Sequence, residues 1–176
     1  MNKRLISLFS AIVVSSMVIS CGGKKTEDAI TPPAGMHTLD LSRFGKPFAI
    51  FVPDTVASRL QIIEQSNGAL DIKVGKNFAI SINEQAADIE LRKQDVKTDE
   101  VNKLKGFITD EPVAIMWESE IMQPEFHFLI NLKIANSDYN IEDIREPEAN
   151  PFSKDAILKM FESAKKVVEI KKEKHS

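Results

Sequence analysis

Between residues 126 and 134 the chain alternates strictly. Phe126, Phe128, Ile130, Leu132 and Ile134 occupy every second position, with His127, Asn131 and Lys133 among the residues between them. A period of two sends successive side chains to opposite faces, so this stretch is a β-strand with one face committed to a core. Such a strand needs neighbours, and the flanking sequence supplies them. Asn136-Ser137-Asp138 reads as a turn into residues 139–144, an antiparallel partner. Upstream, beyond a turn at Asp110-Glu111-Pro112, residues 113–117 are apolar on both faces, as in a central strand.

The first half continues the pattern in shorter pieces. Residues 48–52 form a strand stopped by Pro53 and Asp54, and residues 56–65 a second strand leading into Asn67-Gly68, a strong short hairpin signal. Leu70, Ile72 and Val74 then alternate with Asp71 and Lys73, and Phe78, Ile80 and Ile82 with Ala79 and Ser81. A three-residue loop at Gly75, Lys76 and Asn77 opposes Val74 to Phe78, Ile72 to Ile80 and Leu70 to Ile82. A two-residue loop slips the register by one and opposes them to Ala79 and Ser81. The three-residue loop is therefore expected, with Asn77 as its left-handed residue. Ile89 and Leu91 suggest a short edge strand, and Thr98 a cap for a short helix carrying Val101 and Leu104 and ended by Gly106.

Near the C-terminus the period changes. Ile157, Phe161, Ala164 and Val168 fall at helical spacing, widened by Leu158, Met160 and Val167. Ser153 or Asn150 starts this amphipathic helix, Glu162 and Lys166 pair at i,i+4, and Lys171, Lys172 and Lys174 complement its negative end. The expected class is α+β: an antiparallel meander of short strands, one face covered by a C-terminal helix.

The N-terminus determines location rather than fold. Lys3 and Arg4 precede an apolar run over residues 5–19 that contains four serines and ends in Val18-Ile19-Ser20-Cys21. A span needs about 20 apolar residues, so this run reads as a cleaved export segment. The last four residues resemble the lipobox of bacterial lipoproteins. The resemblance implies that the Cys21 thiolate is alkylated by diacylglyceryl, that cleavage falls between Ser20 and Cys21, and that the new amino group is acylated. Two acyl chains suffice for stable membrane anchoring. Cys21 is the only cysteine, so no disulfide is possible within the chain and stability must come from packing.

Residues 1–20 are then a signal peptide, 21–38 the lipidated cysteine and a flexible tether, 39–172 one domain, and 173–176 a frayed end. Gly22 after the cysteine, in place of aspartate, points to the outer membrane by the enterobacterial rule. Losing Lys3 and Arg4 takes the formal net charge from −3 to −5, which argues against nucleic acid as a partner.

Several pieces in this order resemble the PsbP-like α+β domains of photosystem accessory proteins and bacterial lipoproteins: the strand ending in Val52-Pro53, the hairpin with Gly75 and Phe78, the His127-Phe128 strand, the Tyr139 strand, and a last helix with Met160 and Ala164. The resemblance implies an accessory or binding role and assigns no ligand residue.

Candidate chemistry is sparse. His37, His127 and His175 show no metal-ligand spacing, and nucleophile-elbow, P-loop and dinucleotide-binding motifs are missing. No cofactor or metal is called for. Glu118 and Glu120 point one way in a strand, with Glu125 across the next turn, and His127 is the one histidine inside a strand. These three, His127, Glu118 and Glu120, are the candidate ligand residues. Trp117 belongs to the core, while Ile121 and Met122 in a loop could mark a contact surface. The expected function is a non-catalytic binding or accessory module anchored through Cys21, with an envelope protein as its candidate partner. The alternatives are a hydrolase or other enzyme with a site dispersed around His127, Glu118 and Glu120, and a structural factor in envelope assembly.

Overall fold

The computed structural model describes residues 31–56, 58–144 and 150–170. Val18, Ile19, Ser20 and Cys21, the three C-terminal lysines and His175 lie outside the described residues. In chain order the elements are β1 (Met36–Asp40), a 3-10 turn (Ser42–Phe44), β2 (Phe48–Pro53), β3 (Leu60–Glu64), β4 (Leu70–Val74), β5 (Phe78–Asn83), α1 (Ile89–Thr98), β6 (Lys103–Glu111), β7 (Ala114–Glu120), β8 (Pro124–Ile134), β9 (Ser137–Asp143), α2 (Lys154–Lys165) and β10 (Val168–Glu169). They build a seven-stranded antiparallel sheet, ordered β3-β4-β5-β9-β8-β7-β6, and a small sheet, β1-β2-β10.

Alternation along the strands divides the core in two. Met116, Phe128, Ile130, Ile141, Ile80 and Ile82 face Ile157, Met160, Phe161 and Ala164 of α2 in the main core, with Phe128 edge-on to Phe161 at 5.9 Å. Ser163 Oγ donates to the Phe51 carbonyl and ties α2 to β2. On the other face Ile115, Trp117 and Leu129 make a smaller cluster with Ile89 of α1. Trp117 is thus buried, but beneath α1 rather than α2. Among the described residues no helix is long and apolar enough to cross a membrane.

The β4–β5 hairpin has the expected register, with Val74 opposite Phe78, Ile72 opposite Ile80 and Leu70 opposite Ile82. Its left-handed residue is Gly75, at φ 60°, and not Asn77. The β8–β9 turn sits one residue earlier than the sequence suggests: Ile134 pairs with Ser137, leaving Ala135 and Asn136 between them, and Ala135 is at φ 53°. Ser153 caps α2 by accepting from the Ala156 N–H, and Lys166 meets Glu162 at 3.1 Å. Val168 has left the helix and pairs with Ala49.

The segment between β5 and β7 differs from expectation. Ile89 and Leu91 belong to a helix, because Asp88 accepts from the Leu91 N–H as N-cap and the residues that follow are mostly good helix formers. Thr98 ends that helix; its hydroxyl bonds back to the Gln94 and Asp95 carbonyls. Asp99 Oδ1 then accepts from the Val101 and Asn102 N–H groups and turns the chain into β6. Gly106 lies inside that strand at a register shift, the usual place for a strand glycine. At the N-terminal edge β1 begins at Met36, inside the span that reads as tether.

Candidate functional site

The register of β7 against β8 pairs Trp117 with His127 and Ser119 with Glu125, so these four side chains share the α1 face of the sheet. The Trp117 and His127 rings lie 5.4 Å apart, tilted by 33°. Asp143, at the end of β9, uses its carboxylate where the strand ladder runs out. Its Oδ1 accepts from the Phe128 N–H at 2.8 Å, and its Oδ2 lies 2.8 Å from His127 Nδ1. Glu125 Oε2 is 3.6 Å from Nε2 on the other side of the ring. The side chains of His127, Asp143 and Glu125 are 20%, 5% and 7% exposed, so two buried carboxylates flank a largely buried imidazole.

That setting strengthens the hold of His127 on its proton. Burial disfavours the imidazolium, but the Asp143 hydrogen bond and the charges of Asp143 and Glu125 outweigh it and raise the pKa above the ordinary value near 6.5. In its charged form His127 donates from Nδ1 to Asp143.

Above the Trp117–His127 pair, α1 leaves a cleft of about 380 Å³ lined by Arg92, Asp95, Val96, Asp99 and Asn102. The helix period places 92, 95, 96 and 99 on one stripe. Arg92 is held by Glu142 of β9 at 3.3 Å, and Lys93 anchors the helix to β6 through Asp110. Asn102 Oδ1 and Ser119 Oγ are buried without a hydrogen-bond partner among the described residues.

Of the sequence candidates, only His127 belongs to this site. Glu118 pairs across the ladder with Phe126 and so faces the opposite side of the sheet, as does Glu120, whose carboxylate lies 2.7 Å from Lys105 Nζ. The carboxylate that does meet His127 among the sequence's acidic trio is Glu125, which shares its strand face at i−2. Asp143 could be found only through the β8–β9 register, and Arg92, Asp95 and Asp99 only once α1 is read as a helix. His37 lies elsewhere, 3.7 Å from Asp54 at the start of β1.

Ser119 is 1% exposed and its hydroxyl makes no hydrogen bond among the described residues. Among the described residues no three histidine, cysteine or acidic side chains converge on a metal position. A larger cavity of about 470 Å³, between Gly75–Asn77 of the hairpin and residues 150–152, has lysines and apolar groups but neither carboxylate nor histidine in its described lining. No protein-family model, curated protein or solved structure matches the chain.

Proposed function

We propose that the chain is a bacterial lipoprotein, anchored to the cell envelope through Cys21, whose α+β domain is a binding or accessory module. The observation that carries the location is Val18-Ile19-Ser20-Cys21 at the end of a basic-then-apolar leader. Gly22 favours the outer membrane as the destination. The binding role is supported by the polar cleft between α1 and the Trp117–His127 pair. A PsbP-like arrangement of the domain, and with it an accessory task, is part of the same proposal and rests on the sequence pattern of strands followed by a last helix. An envelope protein is the proposed partner, with membrane attachment through lipid and no affinity for nucleic acid.

Anchoring and binding are tested together. The lipidated chain, crosslinked in its native membrane and recovered, is compared with Cys21→Ala. Loss of membrane fractionation and of the crosslinked partner in Cys21→Ala is the expected result. A variant that still fractionates with membranes, or a mature N-terminus of unmodified mass, refutes the anchor.

A further inference from the structure

The two edges of the large sheet are built differently. At one edge, β6 shifts register twice against β7 and carries Lys103, Lys105, Asp110 and Glu111. It is also flanked by α1, through Lys93 to Asp110 and Lys97 over the Phe107 ring. Bulges, charges and a neighbouring helix are devices that keep an edge from pairing. At the other edge, β3 runs in unbroken register with β4 from Leu60 to Glu64, with no proline, glycine or lysine, and its one charge sits at its far end. Among the described residues no strand lies beyond it.

The open backbone groups of β3 can be assigned. The Gln65 N–H donates to the Ala69 carbonyl, and the Gly75 N–H to the Arg59 carbonyl. In an antiparallel ladder such residues alternate, so Gln61 and Ile63 also turn their polar groups to β4, while Leu60, Ile62 and Glu64 turn theirs outward. The side chains add two features. Leu60 and Ile62 pack at the margin of the main core and stay half-buried, and Ile63, on the other face, is 41% exposed. Arg59 and Glu64, at opposite ends of the strand, are both exposed, and neither is ion-paired among the described residues.

These features select a second copy of the same strand. Antiparallel pairing about a two-fold axis through Ile62 sets Ile62 against Ile62, Leu60 against Glu64 and Gln61 against Ile63 of the other copy. Every outward N–H and C=O of β3 then has a partner. The basic end of each strand lies beside the acidic end of the other, where parallel pairing would set like against like. The main-core faces fall on one side, so the two Ile62 side chains cover each other at the margin of the core. Because β6 is protected, the contact closes at two copies and does not grow into a fibre.

We propose that the protein self-associates through β3, joining the large sheets of two copies into one continuous antiparallel sheet. The pairing depends neither on the lipid anchor nor on an envelope partner. A seam of this length falls short of the ~1,600 Å² of a standard interface, so association is weak and concentration-dependent.

The full chain with Cys21→Ser, spin-labelled at Ser66→Cys, is measured by pulsed dipolar spectroscopy in non-ionic detergent at roughly 0.1 mM, a concentration suited to a small interface. Ser66 is exposed in the β3–β4 turn, four residues past Ile62, so the labels should lie about 27 Å apart. Parallel pairing would bring them within about 10 Å, and pairing through β6 would hold them about 60 Å apart. In the same background, Gln61→Lys/Ile63→Lys and Gln61→Glu/Ile63→Glu each place like charges opposite one another across the seam and should weaken association about tenfold or more. Mixing the two variants makes every one of those pairs attractive and should restore association and the 27 Å distance, about as in the parent. Association through the N-terminal leader would respond to none of these changes. No dipolar distance in the parent, a distance in either of the other ranges, undiminished association of the lysine variant, or a mixture that stays monomeric overturns the proposal. Should either variant fail to fold in a thermal melt, the parent's label distance decides alone.

Discussion

His127 ties the electrostatics of this protein to one ring. Its pKa is raised by Asp143 and Glu125 against the opposing effect of burial, so the folded state binds a proton more tightly than the unfolded chain. The stability this gives is fully present below the ordinary histidine value near 6.5 and is lost as pH rises through the higher folded value. Thermal melts across that window should therefore show a decline toward alkaline pH that Asp143→Asn flattens, and an NMR titration of the imidazole should place its midpoint above that of a free histidine. Gly75 presents a different constraint. At φ 60° it occupies a conformation that costs other residues about 1–2 kcal/mol, and an added Cβ would also lie 2.9 Å from Ser58 Oγ. Gly75→Ala should lower the urea midpoint by a corresponding amount, and adding Ser58→Gly should recover the part due to contact and not the part due to φ.

The two helices show how far local sequence specifies an element. The α2 helix has an apolar stripe, a serine cap and an i,i+4 ion pair that all agree, and all three are legible before any tertiary contact is known. Ser153→Ala should cost about 1 kcal/mol, measured by chemical denaturation, because the Ala156 N–H loses its acceptor. By contrast, α1 has almost no apolar stripe. Its sequence is mostly charged, Leu91 points to solvent, and the spacing of Ile89 and Leu91 imitates a strand. Its helical form comes from the Asp88 cap and the good helix formers after it, while Ile89 and the ion pairs from Lys93 and Arg92 to β6 and β9, contacts between residues distant in sequence, dock it on the sheet. Hydrogen exchange should accordingly find the α1 amides opening at lower free energy than those of α2. The same reason limited the site. Period two places His127 and Glu125 on one face, and it equally places Glu118 and Glu120 together, but only the register of β7 on β8 shows that the two pairs lie on opposite sides of the sheet. The register of the β4–β5 hairpin, set by a loop three residues long, was legible in full.

At the scale of the whole molecule, the large sheet separates the main apolar core under α2 from a smaller apolar cluster and a polar cleft under α1, and the small sheet joins the two ends of the described domain. Five consecutive residues of β2, from Phe48 onward, are buried, so this strand belongs to the core even though it lies outside the large sheet. Both of its neighbours come from chain ends. The β1 strand enters beside Pro53, and β10 leaves beside Phe48, at the opposite end of β2. Tension applied between Met36 and Glu169 therefore acts along the strands, and the ladders on both sides of β2 carry it in shear, all their hydrogen bonds sharing the load. Tension between Met36 and Leu60 instead draws on β1 and β2 from the same end and peels them apart one bond at a time. In single-molecule pulling the first pair of attachment points should give the higher rupture force. A protein held to a membrane by its N-terminal side would then resist mechanical load well in one direction and poorly in the other.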